Sequence, residues 1–188
     1  DVVIDRFQKK LDLLEESMAL RDSKFITVSK EGRRIVELAK KISQSDVTVL
    51  ITGESGVGKD VIARFIHEES KRKRKGLFTK IDCAALPPTL LESELFGYEK
   101  GAFTNAGKEG KKGLLETASG GTAFLDEIGE LNIELQAKLL TAIQDKEIKR
   151  IGGLNPISLD VRIIVATNRD IAAMVSDRTF RRDLYYRI

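Results

Sequence analysis

The sequence predicts an α/β fold: a parallel sheet with helices on both faces, built by a single main domain. Three observations predict it. Short apolar, β-rich runs alternate along the chain with segments of helical periodicity. A glycine-rich turn at 53–58 joins one such run to a helix. Another apolar run, 122–125, ends in two adjacent carboxylates, Asp126 and Glu127. Parallel sheets of this kind bind ligands beyond the C-terminal ends of their strands, and both polar features fall at such ends.

The elements follow in order. Phe7, Leu11, Leu14 and Met18 recur at helical spacing and predict a helix over roughly 2–20. One reading lays it on its own domain. The other makes residues 1–22 a linker helix that pairs with a neighbour, leaving 23–188 as the main domain. A second helix runs from an N-cap at Ser29 to about Ser43, with Ile35, Leu38, Ala39 and Ile42 inward. Val47 to Ile51 reads as a buried strand. The helix after the glycine turn directs Val61, Ile62, Phe65 and Ile66 inward. A strand is expected over Phe78–Asp82, and a short helix after Pro87 and Pro88 carries Leu90, Leu91, Leu95 and Phe96. Residues 97–113, with five glycines and four lysines, read as an exposed loop. Thr122–Leu125 is a strand, Ile133–Gln144 a helix, Arg162–Ala166 a strand, and a short helix follows near Ile171.

Bulk properties exclude several classes. The chain has 188 residues, 41% apolar and 32% charged, and no apolar stretch approaches the roughly 18 residues that span a bilayer. No signal-peptide pattern opens it, so a cytoplasmic protein is expected. One cysteine, Cys83, excludes an internal disulfide, and one His with one Cys is too few for a His/Cys zinc site. A net charge of +3 is too small to argue nucleic-acid binding. The basic run 71–75 reads as a solvated loop rather than a DNA contact, and His67 receives no role.

Gly53, Glu54, Ser55, Gly56, Val57, Gly58, Lys59 and Asp60 lie between a predicted strand and a predicted helix, as a phosphate-binding loop (P-loop) requires. Glycines let the backbone turn its amides around phosphate oxygens, and the helix N-terminus adds partial positive charge there. Lys59 then reaches the β- and γ-phosphates of a nucleotide. The general motif has Ser or Thr after the lysine to touch Mg²⁺; here Asp60 offers a carboxylate for the same ion. In the acidic pair, Asp126 is placed to hold Mg²⁺ through its water shell and Glu127 to orient or deprotonate the attacking water. An acidic helix start is the alternative for the pair taken alone. Asn168, after the strand Arg162–Ala166, is placed to sense the γ-phosphate or to cap a helix.

Together with Glu92-Ser93-Glu94-Leu95-Phe96-Gly97 and Gly101-Ala102-Phe103-Thr104-Asn105-Ala106, these motifs resemble the NtrC-type, sigma-54-dependent transcription activators, which are AAA+ P-loop ATPases. The resemblance covers roughly 25–188 and continues through Gly120-Gly121-Thr122, Asp160 to Ile164 and Phe180 to Arg187. It implies ATP and Mg²⁺ as cofactors and a ring, usually a hexamer, with ATP between subunits. Arg181 and Arg187 match the arginine-finger positions. The segment Gly101, Ala102, Phe103, Thr104, Asn105, Ala106 matches the loop that grips the sigma factor, with Phe103 and Thr104 as the central contact pair. The function implied is ATP-driven remodelling of the closed RNA polymerase complex; the alternative is an ATP-binding regulator that does not remodel the sigma factor. The pattern continues beyond residue 188 into a helical lid, and DNA contact is expected from a domain outside this chain.

Three positions depart from the family pattern. Asn105 replaces Gly, and Asn tolerates a left-handed backbone better than most residues. Asp82 replaces an Asn that holds the catalytic glutamate, and an ionised carboxylate cannot donate a hydrogen bond to Glu127. Asp60 replaces Glu, which keeps the charge.

Overall fold

A computed structural model of the chain describes residues 29–102 and 109–188. The helix expected at 2–20, and Phe103, Thr104, Asn105 and Ala106, lie outside the described residues.

Helix α1, Lys30–Ser43, starts where Ser29 Oγ accepts from Gly32 N at 2.9 Å. Strand β1 (Val49–Thr52) leads through the glycine turn into α2 (Lys59–Glu68), then a 3₁₀ turn (Lys71–Arg74) and β2 (Phe78–Asp82). Helix α3 (Pro88–Phe96) precedes a small antiparallel pair, β3 (Gly97–Tyr98) with β4 (Lys111–Lys112). Helix α4 (Leu114–Thr117), β5 (Thr122–Asp126), a 3₁₀ turn (Ile128–Glu130) and α5 (Ile133–Gln144) follow. The hairpin β6 (Glu147–Ile148) and β7 (Ile157–Ser158) leads to β8 (Arg162–Thr167), α6 (Ile171–Ser176) and α7 (Arg182–Tyr185).

The main sheet is parallel in the order β1-β8-β5-β2. Alternation along β5 and β8 sends successive side chains to opposite faces, and both faces are covered. Ala123, Leu125, Ile163 and Val165 join Leu95, Leu139 and Leu184 on one face; Phe124, Ile164 and Ala166 join Ala39, Ala63 and Ile66 on the other. That is why the central strands read as unbroken apolar runs. Fully burying one Leu or Ile of this kind is worth about 1.5–3 kcal/mol.

Four side chains expected inward point outward. Ile35 and Leu38 of α1 are 50% and 57% exposed, Val61 of α2 43%, and Val47, expected within the first buried strand, 56%, two residues before β1 begins. The cause on α1 is size: the helix turns Ala39 and Ser43 inward, and Ala39 shares its core cluster with Ala63 of α2. Small residues let two helices approach; Ile35 and Leu38 would hold them apart. On α2 the buried positions are Lys59, Ala63, Ile66 and His67.

Two loop expectations are also corrected. Residues 97–113 contain the β3–β4 pair, with Gly97 buried. The basic run holds a 3₁₀ turn in which Arg72 is buried, drawn in by Asp46 and Asp160.

Candidate nucleotide-binding site

Parallel pairing places the predicted site residues together. The glycine turn leaves β1, Glu127 follows β5, and Asn168 follows β8, all at the C-terminal edge of one sheet. In the ladders Thr52 lies beside Thr167 and Asp82 beside Asp126, and Gly53 N extends the β1 ladder by bonding Thr167 O at 3.2 Å. Gly56 and Gly58 have φ of 80° and 88°, a left-handed backbone that a side chain would strain. Gly58 is the N-cap of α2 and supplies no side-chain oxygen. The helix therefore starts with an uncapped positive end, as an anion site needs. Asp60 Oδ1 engages one amide of that turn, Val61 N, at 3.0 Å.

Lys59 is buried and curls back over the turn. Its Nζ donates to Gly53 O at 3.0 Å and Glu54 O at 3.1 Å, and lies 3.4 Å from Glu127 Oε1. Glu127 sits in a left-handed conformation, φ 52°, uncommon for a residue with a Cβ and costing about 1–2 kcal/mol. The bend turns its carboxylate from the end of β5 toward the P-loop, where Oε2 accepts from Asn168 N at 3.2 Å. In this arrangement Asn168 acts through its backbone amide, and the residue itself is exposed.

Asp126 faces the same space. Its Oδ1 accepts from Glu127 N at 3.2 Å and its Oδ2 lies 3.3 Å from Lys80 Nζ. The same ammonium is 3.5 Å from Asp60 Oδ2. The two carboxylates predicted to hold a metal thus already share one cation. Sequence reasoning passed over Lys80; the signal available was its place in β2, two residues before Asp82 and on the same strand face.

Asp82 does not engage Glu127 in the way the family's Asn is expected to. Its Oδ1 accepts from Ala84 N at 2.9 Å, turning the chain after β2. Beside it, the buried Cys83 thiol is pushed up to about 12, first by burial and then by the charges of Asp82, Asp126 and Glu127.

The predicted arginines stand apart from this cluster. Arg181, just before α7, pairs with Asp183 at 2.6 Å, a contact that raises its pKa, and its backbone N donates to the buried Gln136 Oε1 at 2.8 Å. Arg187 is exposed after α7. Of the 101–106 segment, Gly101 and Ala102 are described. Gly101 has φ 75°, and Ala102 N donates to Glu99 O at 3.1 Å. The base of that segment is strapped to 150–153: Glu99 N bonds Ile151 O and Ile151 N bonds Gly97 O, each at 2.9 Å. Arg150, which sequence reasoning also missed, ties Glu99 to Glu116 at 3.2 and 2.8 Å. A separate cavity of about 490 Å³ lies against α5 and β6, lined by Phe96, Lys138, Thr141, Ile148 and Arg150, with no residue of the P-loop or the acidic pair in its lining.

Comparison with known proteins decides the lineage. The profile of the sigma-54 interaction domain matches residues 25–188. The chain belongs to the sigma-54 interaction domain family. The regulatory protein AtoC of Escherichia coli is 59% identical over 148 residues, which is 79% of this chain and 32% of AtoC. NtrX of Brucella abortus superposes with a TM-score of 0.83 at 34% identity, over 99% of this chain and 41% of that one. NtrX is also solved with ADP and with ATP. A P-loop NTPase domain of a sigma-54 activator from E. coli matches at TM-score 0.53 and 19% identity, covering 80% of this chain and 97% of that one, a likeness of fold alone. The chain thus spans about a third of AtoC and less than half of NtrX, and it carries the P-loop AAA+ fold that the resemblance implied. Among the described residues no helix is long and apolar enough to cross a membrane.

Proposed function

We propose that this chain binds Mg²⁺-ATP at the Lys59 turn and hydrolyses it, driving sigma-54-dependent transcription activation. The observation that carries the reading is the convergence of Lys59, Glu127, Asp126 and Asp60 at one sheet edge, with Lys59 Nζ 3.4 Å from Glu127 and one cation shared by Asp60 and Asp126. Family membership and the ATP complex of NtrX support it.

The roles follow from position. Backbone amides of Gly53, Glu54, Ser55, Gly56, Val57 and Gly58 and the start of α2 cradle phosphates, and Lys59 leaves its two carbonyls to meet them. Asp126 and Asp60 are the carboxylates that would hold Mg²⁺. The ion, when bound, neutralises charge developing on the phosphoryl oxygens. Glu127 is freed from Lys59 as phosphate arrives and takes the proton of the attacking water, with Asn168 fixing its carboxylate. Arg181 and Arg187, displayed around α7, serve a neighbouring subunit's nucleotide in a ring. The strapped base at Glu99 and Ile151 supports the 101–106 loop as the sigma-factor contact. Residues 23–188 act as the ATPase unit, residues 1–22 as its linker, and DNA is read by another part of the full-length protein.

The test measures ATP binding and turnover in the assembled protein. Glu127→Gln is expected to bind ATP while turnover falls on the order of 10²–10⁴-fold; Lys59→Ala is expected to lose binding. Turnover unchanged in both variants would refute the site. Capture of the sigma factor with a bound transition-state analogue, abolished by Phe103→Ala, checks the partner.

A further inference from the structure

We propose that Lys80 is a built-in counter-cation for the magnesium position: its ammonium occupies the space between Asp60 and Asp126 when metal is absent and withdraws when the divalent ion arrives. The inference rests on the nucleotide reading of the site.

Geometry motivates it. Lys80 lies in β2, whose register sets it beside Phe124 of β5, so its stem runs along the face that carries Phe78 and Phe124. The ammonium stands 5.9 Å from the Phe124 ring centroid, 3.3 Å from Asp126 Oδ2 and 3.5 Å from Asp60 Oδ2. These two acids come from different elements, the end of β5 and the start of α2. One point charge touching both is a bridge across the cleft between sheet and helix, not a neighbour pair along one strand. The charged groups around the space include Asp60, Asp126 and Lys80, with Asp82 beside Asp126 in the ladder, Arg64 of α2 over the Phe78 ring and, one step further in, the Lys59–Glu127 pair.

Energetics set the direction. Without a cation, the acids at this edge would repel one another and an incoming polyphosphate. An ammonium between them lowers that repulsion, so metal-free nucleotide binds better with Lys80 than without it. A divalent ion at the same carboxylates repels the ammonium and must displace it, so Lys80 weakens apparent Mg²⁺ affinity. Displacement is feasible: the Lys80 side chain is 43% exposed on a flexible stem that swings into water. Lys80 is therefore a positioning residue that narrows the difference between ATP and Mg²⁺-ATP.

The experiment measures ATP affinity of this chain in excess EDTA, and the Mg²⁺ concentration that half-saturates the ATP-loaded chain. Lys80→Met is expected to weaken metal-free ATP binding, and to lower the half-saturating Mg²⁺, each by roughly three- to tenfold, the scale of two partly exposed ion pairs. Lys80→Arg keeps the charge and is expected to preserve the metal-free affinity. Both constants within twofold of the parent in Lys80→Met would overturn the proposal, as would Lys80→Met weakening binding equally with and without metal. Should Lys80→Met fail to fold, Lys80→Gln takes its place with the same expectations. A parent chain that binds no ATP, or binds it equally well as Lys59→Ala, removes the nucleotide reading and this inference with it; a Lys59-dependent parent with an indifferent Lys80→Met removes the inference alone.

Discussion

The two ends of the central sheet hold their charges differently. At the N-terminal end, Arg72 makes two bonds to the Asp46 carboxylate, 2.8 and 2.9 Å, and two to Asp160, 2.8 Å to its carbonyl and 2.7 Å to its side chain. Arg162, fully buried at the start of β8, donates to Ile42 O at 2.9 Å and Ser43 O at 3.4 Å, closing the negative end of α1. These are forked or capping bonds whose geometry only a guanidinium fills. Around the P-loop and the acidic pair at the C-terminal end the cations are lysines, point charges at 3.3 to 3.5 Å from single carboxylate oxygens, while Arg169, after β8, pairs with Glu130 at 2.7 Å. The lesson is that one edge is locked and the other exchangeable. Arginine forks hold the sheet and its flanking helix together; lysine contacts keep places for groups that arrive later.

The largest effect on stability should come from breaking the locked end. Arg72→Met removes charged hydrogen bonds around a buried group and is expected to lower unfolding free energy by about 2–3 kcal/mol. Denaturant midpoints measure it, and ATP affinity should stay within twofold because Arg72 lies at the far edge. Glu127→Gln should do the opposite: a large loss of turnover with stability within about 0.5 kcal/mol of the parent. If Glu127→Gln unfolds the chain while Arg72→Met is silent, the division between locked and exchangeable edges is wrong.

The exchangeable edge, Lys80 apart, was legible in the sequence, and most of the locked edge was not. Lys59, Asp126 and Glu127 announce themselves because strand, turn and helix fix their relative positions over a few residues. Strand and helix existence was equally readable where periodicity ran long, as in β2 and α5. The inward side of α1 was readable only in part: Ala39 is buried as expected and Ile42 is half-buried, but Ile35 and Leu38 are exposed and the small Ser43 is buried instead. Arg72 was hidden inside a basic run, and nothing local says that Asp46 and Asp160, distant in sequence, will close on it. Lys80 was missed for the same reason: its two partners come from other elements, and only the folded register brings them within 3.5 Å.

His67 offers the smallest and most specific probe of the locked end. It is buried at the end of α2, with Nδ1 2.9 Å from Thr122 Oγ1 and its ring against Phe78. Burial depresses its pKa, and Arg64, Lys73 and Arg162 press the same way while Glu68 opposes them. The folded chain therefore holds His67 neutral at a pH where the unfolded chain has begun to protonate it. Between the folded and unfolded values the unfolded state binds the extra proton, so stability falls as pH drops below about 6.5 and is complete above it. Asp46, whose carboxyl Arg72 holds below its ordinary value, acts in a lower window, beneath about pH 4, so the two are separable. Unfolding midpoints should fall between pH 7 and pH 5.5, with a slope no steeper than about 1.4 kcal/mol per pH unit for one proton. Replacing His67 with Gln, which retains a hydrogen-bonding group for Thr122 but cannot titrate, should flatten that slope. A slope that persists in His67→Gln would place the acid sensitivity elsewhere and remove His67 from the locked edge.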